Sequence, residues 1–144
     1  MADRSEAEQV GLRFLTSAFR LRRVVDRHMM ASGLSLARAK ALQVLDQQGP
    51  LRQASLAAEL DMAARSVTQA VEALERDGLV ERTADPTDRR AKVVVITEDG
   101  AAALAAGLSA GERVLQGVFD ALGPEQLETL NGLLATIDER VTTA

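Results

Sequence analysis

Two short stretches of this chain gather side chains that recognise polar surfaces. Arg65, Ser66, Thr68 and Gln69 stand together, interleaved with Val67 and followed by Val71 and Leu74. Some twenty positions later Arg89 and Arg90 close a turn-forming run that also holds Asp85, Pro86 and Asp88. Hydroxyl, carboxamide and guanidinium groups on one helix face can read the donor and acceptor pattern of a DNA major groove. Paired arginines on a projecting turn suit phosphates or a narrow minor groove. Asp88 is the odd member, because a carboxylate repels phosphate. It is expected to orient Arg90, or to stabilise the turn after Pro86, rather than to touch a ligand. An ordinary solvated helix start would also carry Ser and Thr. A surface ion pair in the turn would contribute only about 0 to 1 kcal/mol, so stability alone explains the arginine pair poorly.

Charge distribution supports nucleic acid better than the total does. The net charge is −4, yet residues 1–50 carry +3, residues 51–96 carry −1 and residues 97–144 carry −6. The acid is concentrated in the C-terminal arm, leaving the polar clusters in a nearly neutral segment. Of the 17 basic residues 15 are arginine, which suits planar bidentate recognition but also follows from genome composition.

Other chemistries find little support. No cysteine is present, which removes thiolate metal sites, disulfides and thiol redox sensing. His28 is the sole histidine and makes no credible zinc site without cysteine. There is no glycine-rich phosphate loop or nucleophile motif, so neither an enzyme nor a cofactor is expected. Arg13, Arg20 and Arg27 recur every seven residues and read first as a solvated stripe; Arg20 is kept as a candidate for an anionic effector. Met29 and Met30 read as packing residues. The N-terminus is polar and charged (Asp3, Arg4, Glu6, Glu8), and no apolar run approaches the roughly 18 to 20 residues of a membrane helix. A soluble cytoplasmic protein without membrane contact is expected.

The elements that position the two clusters follow from capping and periodicity. Ser5-Glu6-Ala7-Glu8 is a capping box, and Val10, Phe14, Ala18, Leu21, Val25 and Met29 mark one face of a long helix ending near Gly33. Ser35 caps a second helix with Ala39, Leu42 and Leu45 inward, stopped by Gly49-Pro50. Gln53 to Leu60 and Arg65 to Asp77 form two shorter helices separated by Asp61-Met62-Ala63, and Gly78 supplies a left-handed cap. Leu79 to Thr97 is a β-prone ribbon around the arginine turn. Thr97 caps a helix reaching about Leu122, in which Gly107, Gly111 and Gly117 point to close helix approach or a bend. Gly123-Pro124 opens the last helix, whose Leu127, Leu130, Leu134, Ile137 and Val141 form a short heptad seam. That seam packs either on the first helix of the same chain or, as three long amphipathic helices favour, on a second subunit.

The predicted fold is mainly α with a small two- or three-stranded β wing: a winged helix-turn-helix with N- and C-terminal dimerisation helices. Residues 1–33 form the N-terminal dimerisation helix, 34–97 the DNA-binding region and 98–144 the C-terminal helices, intertwined as one domain. In this arrangement the Arg65 helix enters the major groove and the ribbon reaches backbone or minor groove.

The sequence resembles the MarR family of transcriptional regulators along nearly its whole length. The resemblance is carried by LAAELDMAARSVTQAVEALERDGLVER (Leu56–Arg82), ADPTDRRAKVVVITEDG (Ala84–Gly100) and LGPEQLETLNGLLATI (Leu122–Ile137). It implies a homodimer with interlaced terminal helices that binds a double-stranded, pseudo-palindromic operator, usually as a repressor. It also implies release by a small aromatic or phenolic effector bound between the dimerisation and DNA-binding regions. By position, Ser66, Thr68 and Gln69 match recognition-helix contacts, Arg89 and Arg90 the wing tip, and Ser55 the phosphate-facing start of the preceding helix. Arg65 stands where many members have a small residue, and reaches either a base or a phosphate. The alternatives are a winged-helix module that binds protein without operator specificity, or a regulator that activates. The absence of cysteine sets the chain apart from the family's thiol-based peroxide sensors.

Overall fold

The computed structural model describes residues 5–144; the first four positions of the N-terminal segment, Asp3 and Arg4 among them, lie outside the described residues. Six helices and one two-stranded antiparallel sheet follow in the order α1 (Glu6–Met30), α2 (Leu36–Gln48), α3 (Gln53–Leu60), α4 (Ala64–Arg76), β1 (Val80–Ala84), β2 (Lys92–Ile96), α5 (Glu98–Phe119) and α6 (Pro124–Thr143). This is the winged helix-turn-helix expected from the sequence. Two compact units divide the chain, one ending at Gly111 and the other running from Glu112 to Ala144, so the boundary falls inside α5.

Hydroxyl caps start three helices at the residues that composition marked. Ser5 Oγ accepts from the Glu8 backbone N–H at 3.2 Å, Ser35 Oγ from Arg38 N–H at 3.2 Å, and Thr97 Oγ1 from Gly100 N–H at 3.0 Å. Each satisfies one of the four donors a helix leaves open at its start. Helix ends are as local in origin. After α4, Gly78 turns left-handed at φ 74° and lets Leu79 N–H reach Leu74 C=O at 2.9 Å while Gly78 N–H reaches Glu75 C=O at 3.0 Å. After α3 the same turn is made by Asp61 at φ 50°, with Met62 N–H donating to Ala57 C=O at 3.1 Å. A short polar side chain tolerates that conformation better than a branched one, and the sharp reversal sets α4 close after α3.

The core of the first unit is Met29, Leu34, Leu42, Leu45, Leu56, Val67, Val71, Leu74, Val80 and Val94, all essentially closed to solvent. Fully burying one such side chain contributes roughly 1.5 to 3 kcal/mol. The sheet pairs Val80 with Ile96 and Ala84 with Lys92, and Leu51 adds a bridge to Val94 through bonds of 3.2 and 2.7 Å. The wing is therefore a two-stranded ladder whose base is braced by one residue of the α2–α3 connection.

Glycines let helices approach. A Cβ on Gly107 would sit 3.3 Å from Leu34 Cδ2, and one on Gly111 3.4 Å from Met29 Sδ, so α5 runs close over the end of α1 at these two positions. Gly117 meets nothing within 4 Å. Of the apolar face read on α1, only Val25 and Met29 are buried; Val10 and Phe14 are 61% and 43% exposed. Met30, read together with Met29 as a packing residue, is exposed, because successive helix positions point about 100° apart. Helix α6 buries none of its residues, and its Ile137 and Val141 are exposed within the chain.

Candidate nucleic-acid interface

Helix α4 is built with two faces. Val67, Val71 and Leu74 lie in the core, while Arg65, Ser66 and Gln69 are exposed and without a partner among the described residues. The exposed set occupies the first two turns. Neither α3 nor α4 has a side-chain cap at its start, in contrast to α1 and α2. Uncapped first-turn N–H groups at the positive end of the helix dipole favour an anion such as phosphate. Ser55, in the first turn of α3, is exposed as well.

Thr68 is placed differently from its neighbours. Its hydroxyl donates to Ala64 C=O at 3.0 Å and accepts from Gln53 Nε2 at 3.1 Å. It is half-buried, and its side chain is clamped between the first turns of α3 and α4. What it can still offer a base edge is its methyl group and one acceptor lone pair. Gln53, which no sequence motif marks, ties the two helices at this point.

At the wing, Arg89 and Arg90 are exposed, and neither side chain has a partner among the described residues. The turn beneath them is organised by two aspartates. Asp88 Oδ1 accepts from the Arg90 backbone N–H at 3.0 Å, and its carbonyl accepts from Ala91 N–H at 3.1 Å. Its hydrogen bonds thus go to the main chain of Arg90 and Ala91, and none engages the Arg90 guanidinium. Asp85 is the single buried charged residue among the described residues. Its Oδ1 accepts from the backbone N–H of Thr87 at 2.9 Å and from the Thr87 hydroxyl at 2.8 Å. Its Oδ2 accepts from Arg52 Nε and lies 2.8 Å from Arg52 Nη2 as well, a two-pronged pair. The Thr87 bonds and then the Arg52 guanidinium hold the Asp85 carboxyl well below its usual 3.8, at about 2. Asp85 is visible in the sequence as part of the turn, but its partner Arg52 is not. Asp-Pro-Thr was a legible signal for a side-chain turn; Arg52, 33 residues away, was not.

Arg20 is exposed on α1, where Arg20, Arg23, Val24, Asp26 and Arg27 line a concavity of about 570 Å³. Asp26 also accepts from the Leu36 backbone N–H at 2.9 Å, joining the α1 arm to the start of α2. His28 is exposed, with Nδ1 2.9 Å from Val24 C=O, which makes that nitrogen a donor. The described residues hold no cluster of three metal-ligating side chains and no helix long and apolar enough to cross a membrane.

Comparison with known proteins agrees with this geometry. A family model described as MarR family matches residues 34–92, the span from the start of α2 into β2. A probable transcriptional regulator from Pseudomonas aeruginosa is 31% identical over 92% of this chain and 99% of its own, with a TM-score of 0.76. BpsR of Bordetella bronchiseptica, described in terms of regulation of its DNA binding by 6-hydroxynicotinic acid, is 25% identical over 90% of this chain and 98% of its own, with a TM-score of 0.73. A protein of Thauera aromatica named for transcriptional regulation of the hcr operon is 37% identical over 65% of this chain, and the match spans 56% of that relative's length. These relatives are regulators rather than enzymes, and the chain belongs to the MarR family of winged helix-turn-helix transcriptional regulators.

Proposed function

We propose that the protein is a homodimeric repressor that binds a pseudo-palindromic operator and is released from it by a small aromatic or phenolic anion. The observation that carries the reading is the free polar set: Arg65, Ser66 and Gln69 on α4 and Arg89 and Arg90 on the wing are exposed and have no partner among the described residues, while Asp85 and Asp88 hold the wing turn beneath the arginines. Ser66, Gln69 and the methyl of Thr68 read base edges in the major groove. Arg65 and Ser55, near uncapped helix starts, hold phosphates. Arg89 and Arg90 grip the minor groove or its flanking backbone. A second copy supplies the other half-site, with recognition helices about 34 to 36 Å apart to meet successive major grooves.

For the effector, the arginines at 20, 23 and 27 offer positive charge along one side of a concavity large enough for a single aromatic ring. BpsR, whose regulator is an aromatic acid, supports that class of ligand. Such a molecule acts by preferring a dimer whose recognition helices are not spaced for DNA.

Gel retardation with DNA from upstream of the protein's own gene, over a range of salt concentrations, tests the reading. Retarded complexes that weaken steeply with salt are expected. Absence of binding even near ~50 mM salt would overturn it. Arg90→Ala should weaken all sequences alike, and Gln69→Ala should change base preference. An aromatic acid that tightens the complex would overturn the release step.

A further inference from the structure

We infer that Arg52 and Asp85 form a strap that sets the position of the wing arginines relative to the recognition helix, making them positioning residues for DNA binding. The inference rests on the reading of the wing as a DNA contact. Arg52 is the N-cap residue immediately before α3, and Asp85 is the first residue after β1. Their side chains meet through two short contacts of 2.8 Å, and a second wing carboxylate, Asp88 Oδ2, lies 3.9 Å from the same Arg52 Nη2. The strap therefore spans the base of the turn that projects Arg89 and Arg90.

Further bonds make the arrangement stiff. Asp85 spends its other oxygen on Thr87, its backbone N–H donates to Ala91 C=O at 3.0 Å, and its carbonyl accepts from Asp88 N–H at 3.3 Å. Just before Arg52, Leu51 pairs with Val94 of β2, so the α3 start and the wing are joined by main chain and by side chain. Gln53, just after Arg52, fixes Thr68 of α4. Three consecutive residues, Leu51, Arg52 and Gln53, thus link sheet, wing turn and recognition helix. A planar guanidinium engaged by one carboxylate on two nitrogens resists rotation in a way a lysine ammonium does not.

Asp85→Asn separates this role from plain electrostatics. Removing a carboxylate beside DNA lowers repulsion of phosphate, so a purely electrostatic part predicts tighter binding. Positioning predicts the reverse: Asp85→Asn and Arg52→Lys each weaken operator binding about three- to tenfold, the range that loss of a partly exposed paired contact gives. Protection from cleavage in the minor groove should fade at the wing while major-groove protection stays. Circular dichroism melting run alongside tests folding, and Arg90→Ala serves as the wing control. If Arg90→Ala weakens binding while Asp85→Asn leaves it unchanged or tightens it, the strap is refuted and the wing reading stands. If Arg90→Ala itself has no effect, the wing reading fails. Uniform loss of both footprints in a folded Asp85→Asn protein would also refute the strap.

Discussion

Leu42 and Leu45 on α2 are closed to solvent, whereas Phe14 and Leu15 on α1 remain 43% and 64% exposed, although both helices are capped by a serine hydroxyl and carry an apolar stripe. The difference lies in what each stripe can reach. The α2 stripe meets α3 and the sheet, short elements folded back by Asp61 and Gly78. Helix α1 has 25 residues, a rise of about 37 Å at 1.5 Å per residue, and only its last turns meet Leu34 and the glycines of α5. A head that covers itself and an arm that does not are consistent with subunit association through the arm.

The sharpest break in that comparison is predicted in the head. Leu42→Ala removes a wholly buried side chain and should cost about 2 to 5 kcal/mol, read in urea unfolding of both proteins at the same protein concentration. A smaller loss would mean the site collapses around the cavity. The corresponding change in the arm, Phe14→Ser, should leave the secondary structure of the chain intact and raise the dissociation constant of the proposed dimer about ten- to a hundredfold. Sedimentation across a dilution series reads this shift. An unchanged association constant would show that the exposed end of α1 is not an interface.

Head and arm also differ in how much of them the sequence disclosed. Ser5, Ser35, Thr97 and Gly78 were legible because caps and left-handed turns are set within five residues of chain. The two faces of α4 were legible because Val67, Val71 and Leu74 keep helical spacing. Arg52 with Asp85 and Gln53 with Thr68 were hidden, since their partners lie 33 and 15 residues apart and nothing in either segment marks the other. Gly100 was visible only as a letter of the motif; its reason is that a Cβ there would collide with the Leu79 carbonyl, where β1 leaves α4. The heptad seam of α6 was legible as a pattern, but no spacing within one chain identifies its partner.

Helix α5 carries the contrast into single glycines. Gly117→Ala should stabilise the protein by about 0.5 to 1 kcal/mol, because nothing stands near the added methyl and helical backbone freedom in the unfolded chain falls. Gly107→Ala gains the same helical preference but presses on Leu34 Cδ2 at 3.3 Å, so its net change should be near zero or unfavourable. Thermal melts of the two variants compare them directly. Equal gains would show that the approach of α5 to Leu34 is looser than these distances state; no gain at Gly117 would show that another surface covers it.

The smallest effect belongs to acid and is confined to the head. The Asp85 carboxyl is held at about 2 in the folded protein against 3.8 ordinarily, first by the Thr87 bonds and then by Arg52. A folded-state value below the unfolded one means that the unfolded chain binds the proton more readily, so the contribution is complete above about pH 4 and disappears as pH falls towards about 2. Asp85→Asn should therefore flatten the acid limb of stability over that interval and leave its shape between pH 5 and 8 unchanged. Tryptophan fluorescence is of no use here because the chain has no tryptophan, so circular dichroism melts at stepped pH supply the measurement. A flattening that appeared near neutral pH instead would place the titrating group elsewhere than at Asp85.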